Sequence, residues 1–553
     1  MGRHPVYEML TVRGVLESGL RHGSSVELLQ LGPRGWERLT YSRLAGLVEA
    51  LAAGLEELGV RGSGEPGSMG DRVATLGWNT FCHLAAYLAV PMMGAVLHPV
   101  NVRLAPLEIV YILNHARDRV LLVHRDFLGL LERIASKLEY VEHVVVYSLD
   151  EGYDLPSRLG AARVHSFHDI VSRRGGYEWP WLHEDTPAAM SYTSGTTGMP
   201  KGVVHTHRQL VLHALSLALH LSALLPDGYR LGRGSVVLQT VPMFHAYGWG
   251  LPYVSTLLAL GQVYAGRFRA SRYLDAIEGG GVTHSAGVPT VLKMLLDAAE
   301  EEGRARVLEG LVWMTGGSAL PRGLAERARR LGVKIVGSYG MTEAAPVLTV
   351  SAVASTVPPG LAWEKLALTA GLPLPFTSLR VVDEEGRGWG RVEARSPWIA
   401  RGYYRDPERT ERAWQGGWFH TGDLGFLDEH GYLVIMDREK DVIKSGGEWI
   451  SSLRLEALIS THPCVSEAAV VAAYHPKWQE RPVAVVAPRP GCSVSEEEIK
   501  RHLQRFVEEG VIPRWWLPDR VVVVDELPKT SVGKIDKKRL REMYRGILAG
   551  EDS

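Results

Sequence analysis

The distribution of apolar residues predicts alternating strands and helices as far as about residue 340. Apolar positions recur at helical spacing between residues 41 and 59, which predicts an amphipathic helix there. Continuous apolar runs predict buried strands at residues 72–76, 95–97, 120–123, 144–146, 236–238, 282–284, 311–314 and 334–336. Helical segments, among them 207–224 and 248–260, separate most of these runs. This alternation is typical of an α/β fold in which parallel or mixed sheets are covered by helices.

The pattern changes after about residue 372. Residues 379–394 and 431–436 predict short strands with glycine turns, and so a β-rich subdomain of the large domain. Beyond Asp437 the pattern predicts a compact α+β unit, with helices at 453–460 and 495–509 and strands at 468–473, 482–486 and 521–524. We therefore expect a large N-terminal domain over residues 1–436, a hinge over 437–442 and a small mobile C-terminal domain over 443–553.

Composition limits the classes of function. A chain of 553 residues is too long for one compact core, and a net charge of −1 offers no basic field for nucleic acid. Cys82, Cys464 and Cys492 lie far apart in sequence and form neither a metal-binding pattern nor a disulfide framework, which suits a reducing cytoplasm. The most apolar stretch, residues 84–100, contains Pro91 and falls short of the roughly 20 residues that span a membrane. We expect no transmembrane segment and interpret this stretch as a buried helix followed by a buried strand.

Residues 192–202 form the most informative stretch of the chain. Four Ser/Thr hydroxyls, three glycines and Lys201 fall within these eleven residues, between two apolar runs that predict a strand on each side. Glycines let backbone N–H groups face an anion, and the hydroxyls and the lysine add further donors and charge. The segment differs from a P-loop, since Gly202 and not Ser or Thr follows the lysine. A plain glycine-rich turn is the alternative, but the number of donors favours a polyphosphate site.

Two further glycine-rich loops follow consecutive predicted strands. Residues 316–321 come after the strand at 311–314, and residues 337–343 come after the strand at 334–336. In the second loop Tyr339 offers a face for base stacking, and Thr342 and Glu343 offer oxygen ligands for a cation such as Mg²⁺. Each loop alone is equally compatible with a structural turn. Open α/β sheets bind ligands at such strand ends, so together with the phosphate loop they indicate a nucleotide site.

Three polar motifs occur towards the C-terminus. Asp423 lies in the predicted tight turn 421–423, where its carboxylate is able to accept both ribose hydroxyls, although an ordinary surface turn is the alternative. The charged run 437–441 marks the domain boundary, and such runs are usually solvated loops. Lys534 follows Gly533 on what we predict to be a flexible tip, from which a long cationic arm is able to reach a site elsewhere.

In this order the motifs resemble the adenylate-forming superfamily of acyl-CoA synthetases, luciferases and peptide-synthetase adenylation domains. The resemblance extends from about residue 10 to 545 and rests on the motifs at 192–202, 339–343, 421–423, 437–441 and 533–534. Residues 241–245, followed by Gly248 and Trp249, are most similar to long-chain fatty acyl-CoA synthetases of thermophilic bacteria. In that group the counterpart of Trp249 closes the fatty-acid tunnel. A core tryptophan is the alternative reading of the same residue.

The resemblance implies a two-step reaction with ATP, Mg²⁺ and coenzyme A. A fatty-acid carboxylate attacks the α-phosphate of ATP, giving acyl-AMP and pyrophosphate; the small domain then rotates, and the CoA thiol displaces AMP. The implied phosphate ligands are Thr193, Ser194, Gly195, Thr196, Thr197, Gly198 and Lys201. The implied adenine site is Gly316, Gly317, Ser318, Gly337, Ser338, Tyr339, Gly340, Met341 and Thr342.

The same resemblance implies roles for the remaining residues. Lys534 would bridge carboxylate and α-phosphate, and Thr193 and Glu343 would hold Mg²⁺. Asp423 and Arg438 would bind the ribose. The small domain would contribute the site residues Lys440, Lys444, Gly446, Gly447 and Trp449. The two glycines would allow the pantetheine of CoA to approach closely. His245 would lie at the acyl entrance, and His207 would lie near the gate together with Trp249.

Two alternatives to a fatty acyl-CoA ligase stay open at this stage. One is an adenylating enzyme for short-chain or aryl acids or of the peptide-synthetase type, although no carrier domain follows the small domain. The other is an inactive protein that only binds nucleotide or lipid, against which the intact Lys534, Glu343 and Asp423 argue. The sequence does not indicate the acyl chain length. A cytoplasmic homodimer with small-molecule substrates and no nucleic-acid partner is expected from the resemblance.

Overall fold

The computed structural model describes residues 8–148, 154–172, 176–193, 199–530 and 534–549. The elements before residue 207 are α1 Val12–Gly23, β1 Glu27–Gly32, β2 Gly35–Thr40, α2 Tyr41–Glu57, β3 Arg72–Leu76, α3 Phe81–Met92, β4 Val96–Pro99, α4 Pro106–Ala116, β5 Asp118–His124, α5 Leu128–Ile134, β6 His143–Tyr147, β7 Arg158–Leu159, β8 Ala162–Ser166, α6 Phe167–Val171, β9 Pro187–Thr193 and β10 Lys201–Thr206.

The central part of the chain comprises α7 His207–Leu219, β11 Val236–Leu238, α8 Leu251–Leu257, β12 Gly261–Tyr264, α9 Ala270–Gly280, β13 His284–Gly287, α10 Pro289–Glu301, β14 Val312–Thr315, α11 Arg322–Arg330, β15 Lys334–Gly340, β16 Val347–Val350, α12 Ala362–Leu368 and β17 Leu372–Pro373. The remainder comprises β18 Ser378–Val382, β19 Gly390–Arg395, α13 Pro407–Ala413, β20 Trp414–Gln415, β21 Trp418–Leu427, β22 Leu433–Arg438, β23 Ile443–Ser445, β24 Glu448–Ile450, α14 Ser452–Ile459, β25 Val465–His475, β26 Gln479–Pro488, α15 Glu496–Glu508, β27 Arg520–Val523 and α16 Lys537–Tyr544.

The strands form two large sheets and two small ones. The large sheets have the orders β17-β16-β15-β14-β13-β11-β12-β1-β2 and β10-β9-β4-β3-β5-β6-β8-β7. Their central strands pair in parallel, and antiparallel pairs lie at their edges. The third sheet, β18-β19-β21-β20 with β22 on β21, and the fourth, β24-β23-β26-β25 with β27 on β26, are mostly antiparallel. The predicted α/β class, with a β-rich region and a small α+β unit, is confirmed.

The main core forms where helices cover the apolar strands. In β5 the residues from Val120 to Val123 are all buried, as expected for a strand covered on both faces. Helix α2 buries Leu44, Val48, Leu51 and Leu55 on one side, and the Thr40 side chain caps it by accepting from the Arg43 N–H. The apolar stretch after residue 84 is the buried helix α3 followed by the buried strand β4, as predicted. Within the described residues no helix is long and apolar enough to cross a membrane.

The helix predicted over 248–260 is shorter than expected. Helix α8 begins only at Leu251, because Tyr247, Gly248 and Trp249 have φ values of 56°, 61° and 57° and are therefore left-handed. Pro252 lies in the first turn of α8, where a missing N–H costs nothing. Trp249 therefore lies in a tight connection before α8, and the prediction that placed it on a helix was wrong.

Strand pairing explains two further corrections. The predicted loop at 337–343 is in fact strand as far as Gly340, because β16 pairs antiparallel with the end of β15, Ser338 opposite Val350. The predicted tight turn at 421–423 lies inside β21, where Gly422 has a φ of 73° and the pairing with β19 is irregular. Elements that the sequence analysis did not identify include α1, β1, β2, α13, β21 and α16.

Candidate active site

The two glycine loops lie side by side at the ends of neighbouring parallel strands. Thr315 of β14 pairs with Gly337 of β15, and the Ser338 hydroxyl donates to the Thr315 carbonyl over 2.9 Å. A Cβ on Gly316 would lie 2.6 Å from the Ser338 Oγ, and one on Gly337 would lie 2.2 Å from a backbone oxygen. Only glycine permits this approach. The loops therefore form one continuous backbone surface at the strand ends.

Tyr339, Asp423 and Arg438 form a connected group beside this surface. The Tyr339 hydroxyl donates to Asp423 Oδ2 over 2.6 Å, and Arg438 Nε lies 3.2 Å from Asp423 Oδ1. The pairing of β21 with β22 sets Asp423 opposite Arg438. Burial, reinforced by Asp423, raises the pKa of Tyr339 well above its ordinary value, so this phenol stays protonated. A buried carboxylate is thus held between an aromatic ring and a cation.

Lys534 reaches the same group from the small domain. Its backbone is fixed by Thr530, whose N–H donates to the Lys534 carbonyl over 2.7 Å and whose hydroxyl accepts from the Lys534 N–H over 3.2 Å. A Cβ on Gly317 would lie 3.7 Å from Lys534 Nζ. Burial, together with Arg438, lowers the pKa of Lys534 to about 8. Lys534 is thus half-buried and its backbone is hydrogen-bonded to Thr530. The predicted flexible tip stays a prediction, because residues 531–533 lie outside the described residues.

His245 lies within electrostatic range of Lys534. Burial, together with the charges of Lys534 and Arg103, lowers its pKa to about 4. At neutral pH His245 is therefore an uncharged group beside the ammonium of Lys534. Lys440 is also part of this electrostatic group, because burial and Arg438 lower its pKa. Lys534 thus lies near the backbone of Gly317 and interacts with the carboxylate of Asp423, the cations Arg438 and Lys440, and the neutral imidazole of His245.

A second polar group forms where the β9–β10 hairpin meets Glu343. Lys201 Nζ lies 4.1 Å from the centroid of the Tyr403 ring, and the Tyr403 hydroxyl donates to Glu343 Oε1 over 2.7 Å. Thr193, which pairs with Lys201, has a buried hydroxyl oxygen without a hydrogen-bond partner among the described residues. The predicted ligands Ser194, Gly195, Thr196, Thr197 and Gly198 lie outside the described residues.

This second group fits a magnesium ion. Mg²⁺ uses one or two protein oxygens and keeps several waters. The unpaired Thr193 Oγ1 and the Glu343 carboxylate, whose residue is 8% exposed, supply two oxygens of the required kind. Among the described residues no cluster of three or more His, Cys, Asp or Glu could hold a metal, so a metal site built wholly of protein ligands is not found there.

Tyr403 and His205 are site residues that the sequence analysis missed. Tyr403 comes from a loop whose backbone bridges Val203 of β10, which brings it to Glu343. His205 Nε2 lies 3.3 Å from the Glu343 carbonyl, and its Nδ1 lies 3.0 Å from the Tyr247 hydroxyl. Neither residue belongs to a recognisable motif, and no local signal in the sequence marks them.

Two predicted gate residues lie in different surroundings. His207 is completely buried in the first turn of α7, where its Nδ1 accepts from the Val12 N–H over 3.1 Å. Its described contact is therefore with the start of α1 and not with the nucleotide loops. Trp249 is 6% exposed, and a Cβ on Gly316 would lie 3.3 Å from its ring. Trp249 thus borders the glycine loop.

An apolar cavity lies behind the glycine loops. Its walls come from the end of α7, the following loop, α8 and the central strands: Leu221, Leu225, Tyr229, Leu231, Val237, Leu251, His284, Ser285, Val312, Met314 and Val336. Met314 lies two residues before Gly316, and Val336 directly precedes Gly337. The cavity therefore begins where the polar surface of the loops ends.

The glycine hairpin of the small domain faces a different part of the large domain. Gly446 and Gly447, with φ values of 59° and 89°, form the turn between β23 and β24. The Gly447 carbonyl accepts from Arg387 over 3.3 Å, and the Arg387 guanidinium lies 4.4 Å from the Trp449 ring centroid. The Lys444 N–H donates to Glu480 over 2.7 Å. None of the described contacts of these residues reaches the nucleotide loops.

Asp437 anchors the connection between the third and fourth sheets. Its Oδ2 accepts from the Ser452 N–H over 2.6 Å and from the Ser452 hydroxyl over 2.8 Å. Lys537 Nζ lies 2.7 Å from both Ser452 Oγ and Glu456 Oε1. Burial raises the pKa of Glu456 to about 7. The hydrogen bonds from Ser452 to Asp437 thus hold the start of the segment that follows β22 against α14.

Comparison with known proteins gives consistent results over nearly the whole chain. The family model described as "AMP-binding enzyme" matches residues 18–404, and the one described as "AMP-binding enzyme C-terminal domain" matches residues 454–534. A long-chain-fatty-acid–CoA ligase of Thermus thermophilus is 46% identical and covers 93% of this chain and 91% of its own. A medium-chain-fatty-acid–CoA ligase of Ectopseudomonas oleovorans is 33% identical, with 98% of both chains covered. The crystal structure of an anthranilate CoA ligase in complex with anthranoyl-AMP is similar with a TM-score of 0.82 and 26% identity, over 99% of both chains.

Proposed function

The chain belongs to the AMP-binding enzyme family, and on that premise we propose that it is an ATP-dependent fatty acyl-CoA ligase. It activates a medium- to long-chain fatty acid as acyl-AMP with release of pyrophosphate. It then transfers the acyl group to coenzyme A and releases AMP.

The position of Lys534 beside the glycine loop at residues 316–321 carries this proposal. The first step brings an anionic carboxylate against an anionic phosphate, so a cation is needed where the charge develops. Lys534 Nζ lies next to Gly317, two residues beyond Thr315 at the end of β14. The walls of the small cavity near the loops are mainly aliphatic, the kind of surface against which an alkyl chain gains about 0.8 kcal/mol per buried methylene.

The other site residues take complementary roles in this proposal. The adenine lies along Gly316–Ser318 and Gly337–Thr342, with Tyr339 as its stacking face. The ribose hydroxyls bind Asp423, which forms an ion pair with Arg438. The polyphosphate binds residues 193–201. Mg²⁺, held by Thr193 and Glu343, neutralises phosphate charge, while Tyr403 orients the Glu343 carboxylate through its hydrogen bond.

The second step requires another arrangement of the small domain. Residues 437–442 are the proposed hinge between a large domain over 1–436 and a small domain over 443–553. Rotation about Asp437 withdraws Lys534 and brings Gly446 and Gly447 towards the acyl-AMP, where their lack of side chains admits the pantetheine. Lys440, Lys444 and Trp449 move with them. Trp249 and His245 form the proposed acyl gate and entrance, and His207 is proposed to lie near them. The cytoplasmic location, the homodimer and the dependence on Mg²⁺ are part of the same proposal.

Pyrophosphate release tests the proposal directly. The full-length protein is incubated with ATP, Mg²⁺ and acetate, octanoate, palmitate or benzoate in turn, with and without CoA. We expect release with octanoate or palmitate, and acyl-CoA formation only when CoA is present. Release with benzoate or acetate alone would overturn the assignment to fatty acids. The absence of release with every acid would identify an inactive homologue.

A further inference from the structure

Two of the three cysteines, far apart in sequence, meet in the small domain. Cys464 directly precedes β25, and the pairing of β25 with β26 sets Val465 opposite Pro488. The Arg489 N–H then donates to the Cys464 carbonyl over 2.8 Å, and the Cys492 N–H donates to the Arg489 carbonyl over 3.0 Å. This turn folds Cys492 back towards Cys464, although the two residues lie far apart in sequence.

The turn also brings the two side chains near each other. The Cys492 side chain raises the pKa of the Cys464 thiol, so the two thiols lie within interaction range. Both cysteines are partly accessible to solvent, and both are reduced. In the part of the chain that the structure describes, no metal-binding cluster includes them. The contact therefore serves neither the nucleotide site nor a described metal site.

We propose that Cys464 and Cys492 are a modification site that closes to a disulfide by exchange with a low-molecular-weight disulfide, RSSR. One protein thiolate attacks RSSR, forming a mixed disulfide and releasing one RS⁻. The second protein thiolate then attacks the protein sulfur of the mixed disulfide and releases the other RS⁻. The two protein thiols are oxidised, RSSR is reduced, and the two thiol protons go to the released RSH molecules.

The bond would fix the central hairpin of the small domain. It closes a loop that contains all of β25 and β26, the two strands with the longest pairing in the fourth sheet. Closing a long loop restricts the unfolded chain, so oxidation stabilises the folded small domain. β25 also carries Glu467, which forms an ion pair with Lys529 in the segment that leads to Lys534. Oxidation therefore supports the scaffold that presents Lys534.

Cys82 provides an internal control. It lies in α3 of the large domain and packs against the main core. Burial raises the pKa of its thiol to about 12, so the thiolate needed for exchange is scarce at pH 8. We expect Cys82 to remain unmodified when the other two cysteines react.

The test treats the full-length protein with oxidised glutathione at pH 8 and measures intact mass, disulfide peptides and thermal unfolding. The wild type should lose two hydrogens, about 2 Da, and retain no glutathione. Cys464→Ser and Cys492→Ser should each retain one glutathione on the remaining cysteine, because the resolving thiol is missing. The melting temperature of the oxidised wild type should rise by about 5 °C and return to its initial value with dithiothreitol.

Several outcomes would overturn the proposal. These are stable glutathione adducts on the wild type, thiols that stay free under the same treatment, a bond between two chains, or an oxidised wild type whose melting temperature is unchanged. Cys464→Ala and Cys492→Ala serve as a second pair of variants if a serine variant is unstable before oxidation. Because the readouts are mass and melting temperature, the result does not depend on the fatty acyl-CoA ligase proposal.

Discussion

Replacing Lys534 with methionine should separate the two proposed half-reactions. Methionine keeps the bulk of the side chain and removes the ammonium. At about 4 Å and an effective dielectric constant of about 20, a unit charge stabilises an opposite one by about 4 kcal/mol. Since about 1.4 kcal/mol corresponds to a tenfold change in rate, acyl-AMP formation should fall by two to three orders of magnitude. Conversion of supplied acyl-AMP and CoA should fall less than tenfold, because rotation has then withdrawn the lysine.

The same substitution should not destabilise the fold. Folding lowers the pKa of Lys534 from its ordinary 10.5 to about 8, so the charged form is disfavoured in the folded protein. Between those two values the unfolded chain binds more protons, and the free energy of unfolding therefore rises with pH. Lys534→Met removes this dependence and should be at least as stable as the wild type at pH 7. Because catalysis needs the ammonium, kcat/KM of the wild type for adenylation should decrease as the pH rises through about 8.

The assay is a pair of single-turnover measurements on one variant. One starts from ATP and fatty acid, and the other starts from synthetic acyl-AMP and CoA. Lys538→Met is the matched control: Lys538 lies on α16 in the same segment, its side chain is 62% exposed, and it forms an ion pair with Glu542 at 4.0 Å. The control should behave as the wild type does in both measurements. Equal losses in both half-reactions of Lys534→Met, or a loss of adenylation below tenfold, would refute the reasoning.

Three other substitutions test neighbouring parts of the site. Glu343→Gln should lower adenylation at least tenfold, and excess Mg²⁺ should recover part of it; full activity at low Mg²⁺ would exclude the metal role. Tyr403→Phe removes the hydrogen bond to Glu343 and should raise the Mg²⁺ concentration needed for half-maximal rate several-fold, with an unchanged requirement counting against the orienting role. Trp249→Ala should change the dependence of rate on acyl length while leaving the KM for ATP nearly constant. Equal losses with acetate and palmitate, together with a lower melting temperature, would show a purely structural tryptophan.

Local patterns predicted the elements whose burial is set by neighbours in sequence. The apolar spacing in α2 and the capping box at the start of α15, in which Ser495 and Glu498 bond reciprocally, are of this kind. The strand at Asp423 was missed because glycine and polar residues indicate a turn locally, whereas β21 is held by pairing with β19 and β22. Long-range pairing overrides the local preference there.

The residues of the candidate site divide in the same way: those in local motifs were predicted, and those that only the fold brings together were not. The glycine loops and Asp423 were predicted as site residues because each belongs to a short motif of adjacent residues. Tyr403 was not, since its partner Glu343 lies sixty residues away and only the folded chain joins them. The partial burial of Lys534 was not predicted either. It depends on how Lys534 packs near Gly317, which no spacing in the sequence encodes.

The contacts between the two parts of the chain are of a kind that permits rotation. The Arg387–Trp449 cation–π pair and the Arg387 hydrogen bond to the Gly447 carbonyl connect the hairpin to the third sheet. Such contacts contribute on the order of 1 kcal/mol each. Lys534 is disfavoured as a charge in its buried position until an anion is present. Phosphates would favour this orientation, and their departure as pyrophosphate would leave two orientations separated by only a few kcal/mol. In the proposed reaction, ATP binding would therefore favour the orientation in which Lys534 lies at the site, and release of pyrophosphate would allow the small domain to rotate.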